Sequence, residues 1–368
     1  MIFDCAVVGA GVMGCSTALH LARGGMQVAL LDRGAICGEA SGANAGALTM
    51  QAASAALIPY ALRAHEMWLH MAAWCDGRPV PVTARPGVSI AFTEAEAAML
   101  EEQARVRRRS ATPIELVSGG RAMEIEPGLT DRVLLAGHCP VDGIASAHLT
   151  GRAFRPALLD AGIALFEKRA VDGVDRQPHG FTLHGSQGLL RARRIVMAGG
   201  AWLEGMAAWL GVALPMRLLA KPLVVTERIR PVMRTVLCAA SGHLSLTQDA
   251  KGGVLIGGGW AIGASPRNEL QVQSDDLRET IRLAARAIPA LREARVLRAW
   301  LGLEGDTADG MPAIGPIPGV PDAWMIGGVQ PGYLTGPYLG MLLARSVLGQ
   351  EPEMPLFPPD RLLVQKAA

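Results

Sequence analysis

The sequence predicts a protein of mixed α/β and α+β class, with a Rossmann-like nucleotide-binding domain and an antiparallel-sheet domain. An N-terminal strand, glycine turn, helix and second strand form a βαβ unit of about 30 residues. Further nucleotide-fold segments occur near residues 140–210 and at the C-terminus, whereas residues 215–260 alternate as short strands. Each domain is therefore discontinuous, with residues 1–80, 141–215 and 300–368 in the first and residues 81–140 and 216–299 in the second.

The elements follow from hydrophobic periodicity and from glycine punctuation. Ile2–Val8 is apolar and β-prone, helix-period apolar residues run from Val12 to Arg23, and Gly24-Gly25 ends that helix. A second strand ends at Asp32. Later helices are expected at 52–74, 94–108, 147–161, 275–288 and 337–348. Later strands are expected at 164–166, 181–184, 189–191, 194–198, 297–303 and 323–326.

Composition limits the function classes that the chain can belong to. The 368 residues carry 35 basic and 33 acidic side chains, for a net charge of +2, and no basic block predicts nucleic-acid binding. No apolar run reaches the roughly 18 residues of a membrane span, and the chain opens directly on a strand, so a cytoplasmic protein is expected. The high apolar content, at 50%, favours a large subunit interface; peripheral contact with the inner membrane is the alternative.

Six scattered cysteines show no spacing typical of zinc or iron–sulfur ligands, so no metal site is predicted. Buried, reduced thiols are the expected state of these side chains. Any iron–sulfur centre in the functional system would belong to another chain.

The strongest local signal is a G-x-G-x-x-G motif formed by Gly9, Gly11 and Gly14 around Val12 and Met13. It follows a strand and opens a helix, and the acidic Asp32 lies 23 residues after the first glycine. The first glycine allows a tight turn, the second lets the backbone approach a pyrophosphate, and the third lets helix and strand pack closely. The phosphates would lie at the positive helix N-terminus, and Asp32 would accept hydrogen bonds from ribose.

Both FAD and NAD use this motif, and two further segments favour FAD. Residues 41–46, Ser-Gly-Ala-Asn-Ala-Gly, form a loop of small residues that leaves room for a bulky ring system. Residues 196–202 are a buried strand that ends in a glycine pair followed by Ala201 and Trp202.

A C-terminal block completes the pattern. Residues 309–315 read Asp-Gly-Met-Pro-Ala-Ile-Gly, and residues 327–337 read Gly-Gly-Val-Gln-Pro-Gly-Tyr-Leu-Thr-Gly-Pro. The glycines let main chain approach a flat ring, and Thr335 and Pro337 suit the N-cap and first turn of a helix. That helix would direct its positive end at the anionic side of a reduced flavin.

With these four segments in the same order, the chain resembles the D-amino acid oxidase family of flavoproteins along nearly its whole length. The resemblance implies non-covalent FAD, because no cysteine after Cys238 could carry a covalent flavin and His148 is no secure match for a covalent FMN ligand. In the family a valine contacts the adenine through its backbone, and Val171 matches that place. The cofactor-binding residues that follow are Gly9, Gly11, Val12, Met13, Gly14, Asp32, Arg33, Ser41, Asn44, Ala45, Gly46, Val171, Ala198, Gly199, Gly200, Trp202, Gly302, Gly328, Gln330, Gly332, Tyr333, Leu334 and Thr335.

One position departs from the family pattern. Many relatives carry Gly-x-Arg-Pro before the Asp-Gly-x-Pro block, and that arginine holds the substrate carboxylate, whereas this chain reads Gly302-Leu303-Glu304-Gly305. A simple free amino acid bound in the usual way is therefore not expected. Glu304 suits a cationic substrate group such as a guanidinium; a surface or ion-paired glutamate is the alternative.

The short chain also resembles the β subunits of multi-subunit dehydrogenases in this family, which include opine oxidases and L-proline dehydrogenase. The preferred hypothesis is an opine oxidase catalytic subunit that passes electrons to companion subunits with flavin or iron–sulfur centres, FMN at a subunit interface being left open. The alternatives are a dehydrogenase or oxidase of proline, hydroxyproline, glycine, sarcosine or a D-amino acid, and a non-catalytic electron-relay subunit.

The expected reaction is hydride transfer from the carbon that bears the amine to flavin N5, followed by hydrolysis of the imine. The amine must be neutral, which a site that lowers its pKa achieves without a strong base. The candidate catalytic residues are Tyr333, Glu304 and His243, with Gln330 beside the flavin. Tyr333 would orient a substrate carboxylate or merely pack, and His243 is either catalytic or structural.

Overall fold

The computed structural model describes residues 2–75, 80–107, 110, 112–258, 262–263 and 274–363. Within these residues the strands β1 to β20 are, in chain order, Ile2–Val8, Val28–Leu31, Ala47–Leu48, Val82–Ala84, Gly87–Ala91, Glu115–Ser118, Leu135–Cys139, Gly143–Ala145, Ala164–Phe166, Gly173–Gln177, Gly180–His184, Leu190–Met197, Met216–Thr226, Val236–Ala239, Leu244–Gln248, Val254–Gly258, Ile262–Gly263, Val296–Thr307, Ala313–Pro316 and Ala323–Gly327. The α-helices α1 to α10 are Val12–Arg23, Ala40–Ala43, Ile58–Leu69, Met71–Trp74, Glu94–Arg107, Gly119–Ile125, Thr150–Asp160, Leu203–Trp209, Ser274–Ala287 and Gly332–Val347.

The first sheet has a parallel centre. Strand β1 lies between β12 and β2, and β9 and β20 extend the sheet on either side, all in parallel. The hairpin strands β10 and β11 and the strand β19 are added in antiparallel orientation. All four residues of β2 are buried, as expected for a parallel strand that is covered on both faces.

Helix α10 crosses the chain's first helix, α1, at close range. A Cβ at Gly340 would come within 2.7 Å of Met13 O, and one at Gly336 within 2.8 Å of Val12 Cγ1. The hydroxyl of Ser16 on α1 donates a hydrogen bond of 2.6 Å to Pro337 O. The two glycines of α10 therefore let the last helix pack beside the start of the first.

The second sheet contains most of the strands between residues 87 and 307. Its order is β17-β13-β16-β15-β14-β5-β7-β6, with β18 on β13, and all neighbours are antiparallel except β14 and β5. A separate apolar core fills the space between this sheet and the helices α6 and α9. A small third sheet has the strand order β3-β8-β4. Its strands lie where the chain passes from one large sheet to the other.

The strands expected at 189–191 and 194–198 form one continuous strand, β12. Three further differences concern two helices and a domain boundary. The region 52–74 is two 3-10 turns followed by α3 and α4, because Pro59 starts a new helix inside the segment. Strand β18 runs from 296 to 307 in the second sheet, so the domain boundary expected at residue 300 falls within one strand.

The third difference concerns the last helix, which begins at Gly332 and not near Pro337. Thr335 therefore does not cap it: its hydroxyl donates to Pro331 O at 2.9 Å, the bond that a threonine inside a helix makes to the carbonyl four residues earlier. Pro337 lies inside the helix, in its second turn. No helix in the part of the chain that the structure describes is long and apolar enough to span a membrane.

Candidate active site

The glycine turn after β1 has the geometry that the motif predicts. Gly9 has φ +109°, and a Cβ there would overlap Ala198 O; a Cβ at Gly14 would overlap Gly9 O. Gly11 precedes the first residue of α1. Among the described atoms, only Ser41 Oγ would lie within 4 Å of a Cβ added at Gly11. The first and third glycines are thus required by packing inside the protein, whereas the second leaves the helix N-terminus accessible to a ligand.

Asp32 follows β2 at the same edge of the sheet. Its carboxylate accepts hydrogen bonds of 2.7 Å from the backbone N–H groups of Ala10 and Gly34. These two bonds fix the carboxylate beside the glycine turn, and each oxygen keeps a lone pair for a ribose hydroxyl. Next to it, the guanidinium of Arg33 lies 3.7 Å from the centre of the Trp202 ring.

The segment of small residues after β2, expected as a loop, contains the one-turn helix α2 and is held by its own side chains. Ser41 Oγ accepts a 3.0 Å hydrogen bond from Val12 N at the start of α1. The Asn44 amide donates to Ala40 O and Ser41 O, and its oxygen accepts from Gly46 N at 2.7 Å. Ser41 and Asn44 therefore position the loop against the glycine turn, and Ala45 lines the adjacent cavity.

Two further segments reach this edge. After β9, Arg169 N donates to Asp32 O at 2.8 Å, which holds the segment that contains Val171 beside the acidic residue. After β12, Ala198 N donates to Val8 O, and Gly200 has φ +55° at the start of a 3-10 turn that ends at Trp202. The glycine turn, Asp32, Val171 and the glycine pair thus share the carboxyl edge of the parallel strands, where ligands bind in open α/β sheets.

These features fit FAD. A helix N-terminus that opens on a glycine and has one N–H bonded to Ser41 Oγ suits a pyrophosphate, and an acid at the end of β2 suits a ribose. Gly328 and Gly332 lie beside the same edge, and α10 starts there with its N-terminus uncapped by a side chain. Met13 touches Gly332, since a Cβ at that glycine would come within 3.2 Å of Met13 Cε.

A cavity of about 350 Å³ continues from this edge across the face of the second sheet. It is lined by residues from six neighbouring strands, in the order β18, β13, β16, β15, β14 and β5. The lining residues on these strands include Gly302, Glu304, Lys221, Leu223, Gly257, Ser245, Cys238 and Ser89. Gln330, Tyr333 and Leu334 close it from the side of α10.

Lys221 and Glu304 are the charged residues that line this cavity within the described chain. Lys221 Nζ lies 2.8 Å from Glu304 Oε2, an ionic contact without hydrogen-bond geometry, and donates to Gln330 Oε1 at 3.1 Å. Both charged side chains are mostly buried, at 24% and 23% exposure. The glutamate that replaces the family's arginine is therefore ion-paired, which is the alternative that the sequence left open, and its neighbour supplies a cation.

Tyr333 lines the cavity, but its hydroxyl points elsewhere. The hydroxyl is 2.8 Å from Thr150 Oγ1, and the ring packs on Trp68 with 4.7 Å between ring centres. Burial raises the pKa of this phenol well above its ordinary value. Orientation of a substrate carboxylate by this hydroxyl would require the bond to Thr150 to break.

His243 lies in the turn between β14 and β15. Its neighbours Gly242 and Leu244 line the cavity, and His243 is not among the described lining residues. The structure therefore brings Glu304, Gln330 and Tyr333 to one cavity and leaves His243 at its margin.

Sequence reasoning missed Lys221, Gln51 and Asp142. Lys221 interrupts an apolar strand, which is the signal that could have identified it. Asp142 is fully buried, and its carboxylate accepts hydrogen bonds from Thr49 Oγ1 at 2.5 Å and Met50 N at 2.9 Å. Burial raises its pKa to about 6. Gln51, in the turn that Asp142 holds, lines the cavity.

The fold and the site define a flavin-dependent oxidoreductase, and comparisons with known proteins place the chain more closely. The model of the DAO family of FAD dependent oxidoreductases matches residues 4–346, so the chain belongs to that family. It is an FAD-dependent enzyme that acts on C–N bonds of amino-acid-like substrates.

Three relatives illustrate the range of this similarity. Glycine oxidase of Geobacillus kaustophilus is 28% identical over 97% of this chain and 96% of its own, and its crystal structure superposes with a TM-score of 0.88 over 96% of each chain. A subunit of the opine oxidase of Rhizobium meliloti is 29% identical over 84% of each chain. The structure of L-proline dehydrogenase from P. horikoshii, at 24% identity, has the same fold, with a TM-score of 0.89 over 98% of this chain and 97% of that one.

Proposed function

We propose that this chain oxidises the secondary amine of an N-substituted amino acid of the opine class. In this hypothesis it is the catalytic subunit of a complex and passes its electrons to companion subunits. The observation that carries the proposal is the cavity itself, which crosses six strands and has a lysine–glutamate ion pair at one end.

The ion pair suits a substrate with more than one charge. Without substrate, the charges of Lys221 and Glu304 compensate each other at 2.8 Å. A ligand that brings a carboxylate gives Lys221 a new partner, and a cationic group does the same for Glu304, so neither buried charge is left unpaired. Bound FAD would take up part of this cavity, since Asn44, Ala45 and Gln330 line it, and the substrate takes the part beside Lys221 and Glu304.

Bound FAD supplies the hydride acceptor for C–N oxidation. The chain's own residues hold the substrate and keep its amine uncharged. Lys221 binds the carboxylate, and its positive charge lowers the pKa of a nearby amine, which favours the neutral form that reacts. The apolar wall formed by Leu223 and Leu244 further disfavours an ammonium ion.

The companion subunits are proposed from the relatives and from composition. The Rhizobium meliloti relative is named as one subunit of an opine oxidase, and half of this chain's residues are hydrophobic. A small amino acid is the alternative substrate, supported by the glycine oxidase similarity over nearly the whole chain.

The test is an anaerobic titration of the purified, FAD-loaded chain in which the visible flavin absorbance is followed. Octopine, nopaline, proline, hydroxyproline, glycine and sarcosine form the panel. Bleaching by an opine but not by the small amino acids is the expected result. Bleaching by glycine, sarcosine or proline alone would overturn the substrate proposal, and slow reoxidation by oxygen would support transfer to companion subunits.

A further inference from the structure

The segment 41–46 joins the glycine turn of the first sheet to the face of the second sheet. At its start, Ser41 Oγ accepts a hydrogen bond from Val12 N at the beginning of α1. Farther along, Ala45 packs over β16, since a Cβ added at Gly257 would lie 3.7 Å from Ala45 Cβ. Both of these residues line the cavity. The segment therefore lies against the proposed cofactor site on one side and against the cavity floor on the other.

Two side chains of the second sheet hold the carbonyl groups of this segment. Trp300 Nε1, on β18, donates a hydrogen bond of 2.7 Å to Ala43 O, and Thr247 Oγ1, on β15, donates one of 3.0 Å to Ala45 O. Thr247 is 1% exposed, and Trp300 is half-buried. Because β13 and β16 lie between β18 and β15, the segment is held at two separate points of the sheet.

The bond from Trp300 meets a need of the local structure. Ala43 is the last residue of α2, and the final carbonyls of a helix have no partner within the helix. The Asn44 amide donates to Ala40 O and Ser41 O, and the indole N–H of Trp300 donates to Ala43 O. A carbonyl that loses such a donor where water cannot replace it disfavours the conformation in which it is held.

We propose that Thr247 and Trp300 are positioning residues for FAD. By holding Ala45 O and Ala43 O on the second sheet, they fix the segment 41–46 before the cofactor binds and so set its spacing from the cavity floor. A segment that is ordered in advance loses less conformational entropy when the cofactor binds. The inference concerns retention of FAD and does not depend on which amine is oxidised, so it stands or falls separately from the proposed function.

The test is the rate at which the FAD-loaded chain releases its cofactor on dilution, followed by the rise of flavin fluorescence. Thr247→Val replaces the hydroxyl with a methyl group of similar size and removes the bond to Ala45 O. Release is expected to become roughly 10-fold faster in this variant. Thr247→Ser keeps a hydroxyl and should restore the wild-type rate to within about threefold. Trp300→Phe removes the N–H that Ala43 O accepts, and it should accelerate release in the same way.

Thr235→Val is the matched control. Thr235 is fully buried directly before β14, and its hydroxyl donates to Glu126 Oε2 at 2.9 Å, away from the segment 41–46. Both valine variants are expected to lower the melting temperature, and only Thr247→Val should release FAD faster. Equal release rates in the two variants, measured well below their melting temperatures, would mean that Thr247 only stabilises the fold and would overturn the proposal.

Hydrogen exchange of the FAD-loaded chain locates the effect. Peptides that cover residues 41–46 are expected to exchange roughly 10-fold faster in Thr247→Val and Trp300→Phe than in the wild type, and at the wild-type rate in Thr235→Val. Faster release of FAD with unchanged exchange in these peptides would also overturn the proposal, because the segment would then not transmit the effect.

Discussion

The carboxyl edge of the first sheet and the cavity wall on the second sheet are built in opposite ways. At the edge, backbone groups face the proposed cofactor site, and the glycines there are required by packing: a Cβ at Gly9 would overlap Ala198 O. On the wall, side chains are the groups that a ligand would meet: Lys221 and Glu304 come from two strands that lie far apart in sequence.

This difference explains which part of the site tolerates change. Main-chain geometry at the edge suits a cofactor that every family member shares, and a substitution there disturbs the fold itself. A side chain on an already formed sheet can be exchanged without moving its strand, so substrate preference can diverge while the fold and the cofactor stay the same.

The largest expected loss of stability follows a substitution at the carboxyl edge of the first sheet. Gly9→Ala places a Cβ against Ala198 O at a φ of +109° and should destabilise the protein by about 3 kcal/mol or more, with loss of bound flavin. Gly25→Ala is the control, because φ is +89° there but no atom lies within 4 Å of the added Cβ; about 1 kcal/mol is expected. Flavin content per chain and thermal melting measure both, and equal behaviour of the two variants would contradict the comparison.

The same difference decides what the sequence could predict. The helix Val12–Arg23 was predicted with both ends, because Gly11 and Gly24 mark them locally. The last helix was placed too late, because Thr335 and Pro337 have the residue types of a helix start while the hydroxyl bonds back to Pro331 O. Local sequence does not distinguish a capping threonine from one inside a helix.

The pairing of Lys221 with Glu304 could not be predicted at all. It depends on the register in which Leu219 lies opposite Glu304 on antiparallel strands, and no local pattern fixes that register. The sequence identified Glu304 as the departure from the family, but only the sheet shows which cation meets it.

A smaller, pH-dependent effect on stability is expected at Asp142, which is buried behind the cavity wall. Its folded-state pKa of about 6 lies above the ordinary value of 3.8, so the folded protein holds the proton more tightly than the unfolded chain. This contribution to stability is fully present below pH 3.8 and is lost as the pH rises through about 6. Asp142→Asn remains neutral, so its stability relative to wild type should rise by about 3 kcal/mol between pH 4 and pH 7. Melting temperatures of both proteins across this pH range measure the difference. A difference that stays constant with pH would show that the carboxylate does not titrate there.

On the wall itself, Lys221→Met should weaken binding of a carboxylate ligand by about 2 kcal/mol, roughly 30-fold. Glu304→Gln should act in the opposite direction, since it leaves the charge of Lys221 unopposed. Flavin-perturbation titrations with a non-reactive carboxylic acid measure both. Lys251→Met, at an exposed lysine, is the control. Weaker binding in both variants would mean that the intact ion pair, and not the cation alone, forms the site.

The smallest effect is expected at Tyr333, where the edge and the wall meet. Its hydroxyl bonds Thr150 and not the cavity, so Tyr333→Phe should cost about 1 kcal/mol of stability and change kcat/KM less than about threefold. Thr150→Val removes the other half of the same bond, and the double variant should be little worse than either single one. A loss of more than about 100-fold in kcat/KM for Tyr333→Phe, with normal activity in Thr150→Val, would show that the hydroxyl turns to the substrate. Tyr333 would then orient the substrate carboxylate, which is one of the two roles that the sequence left open.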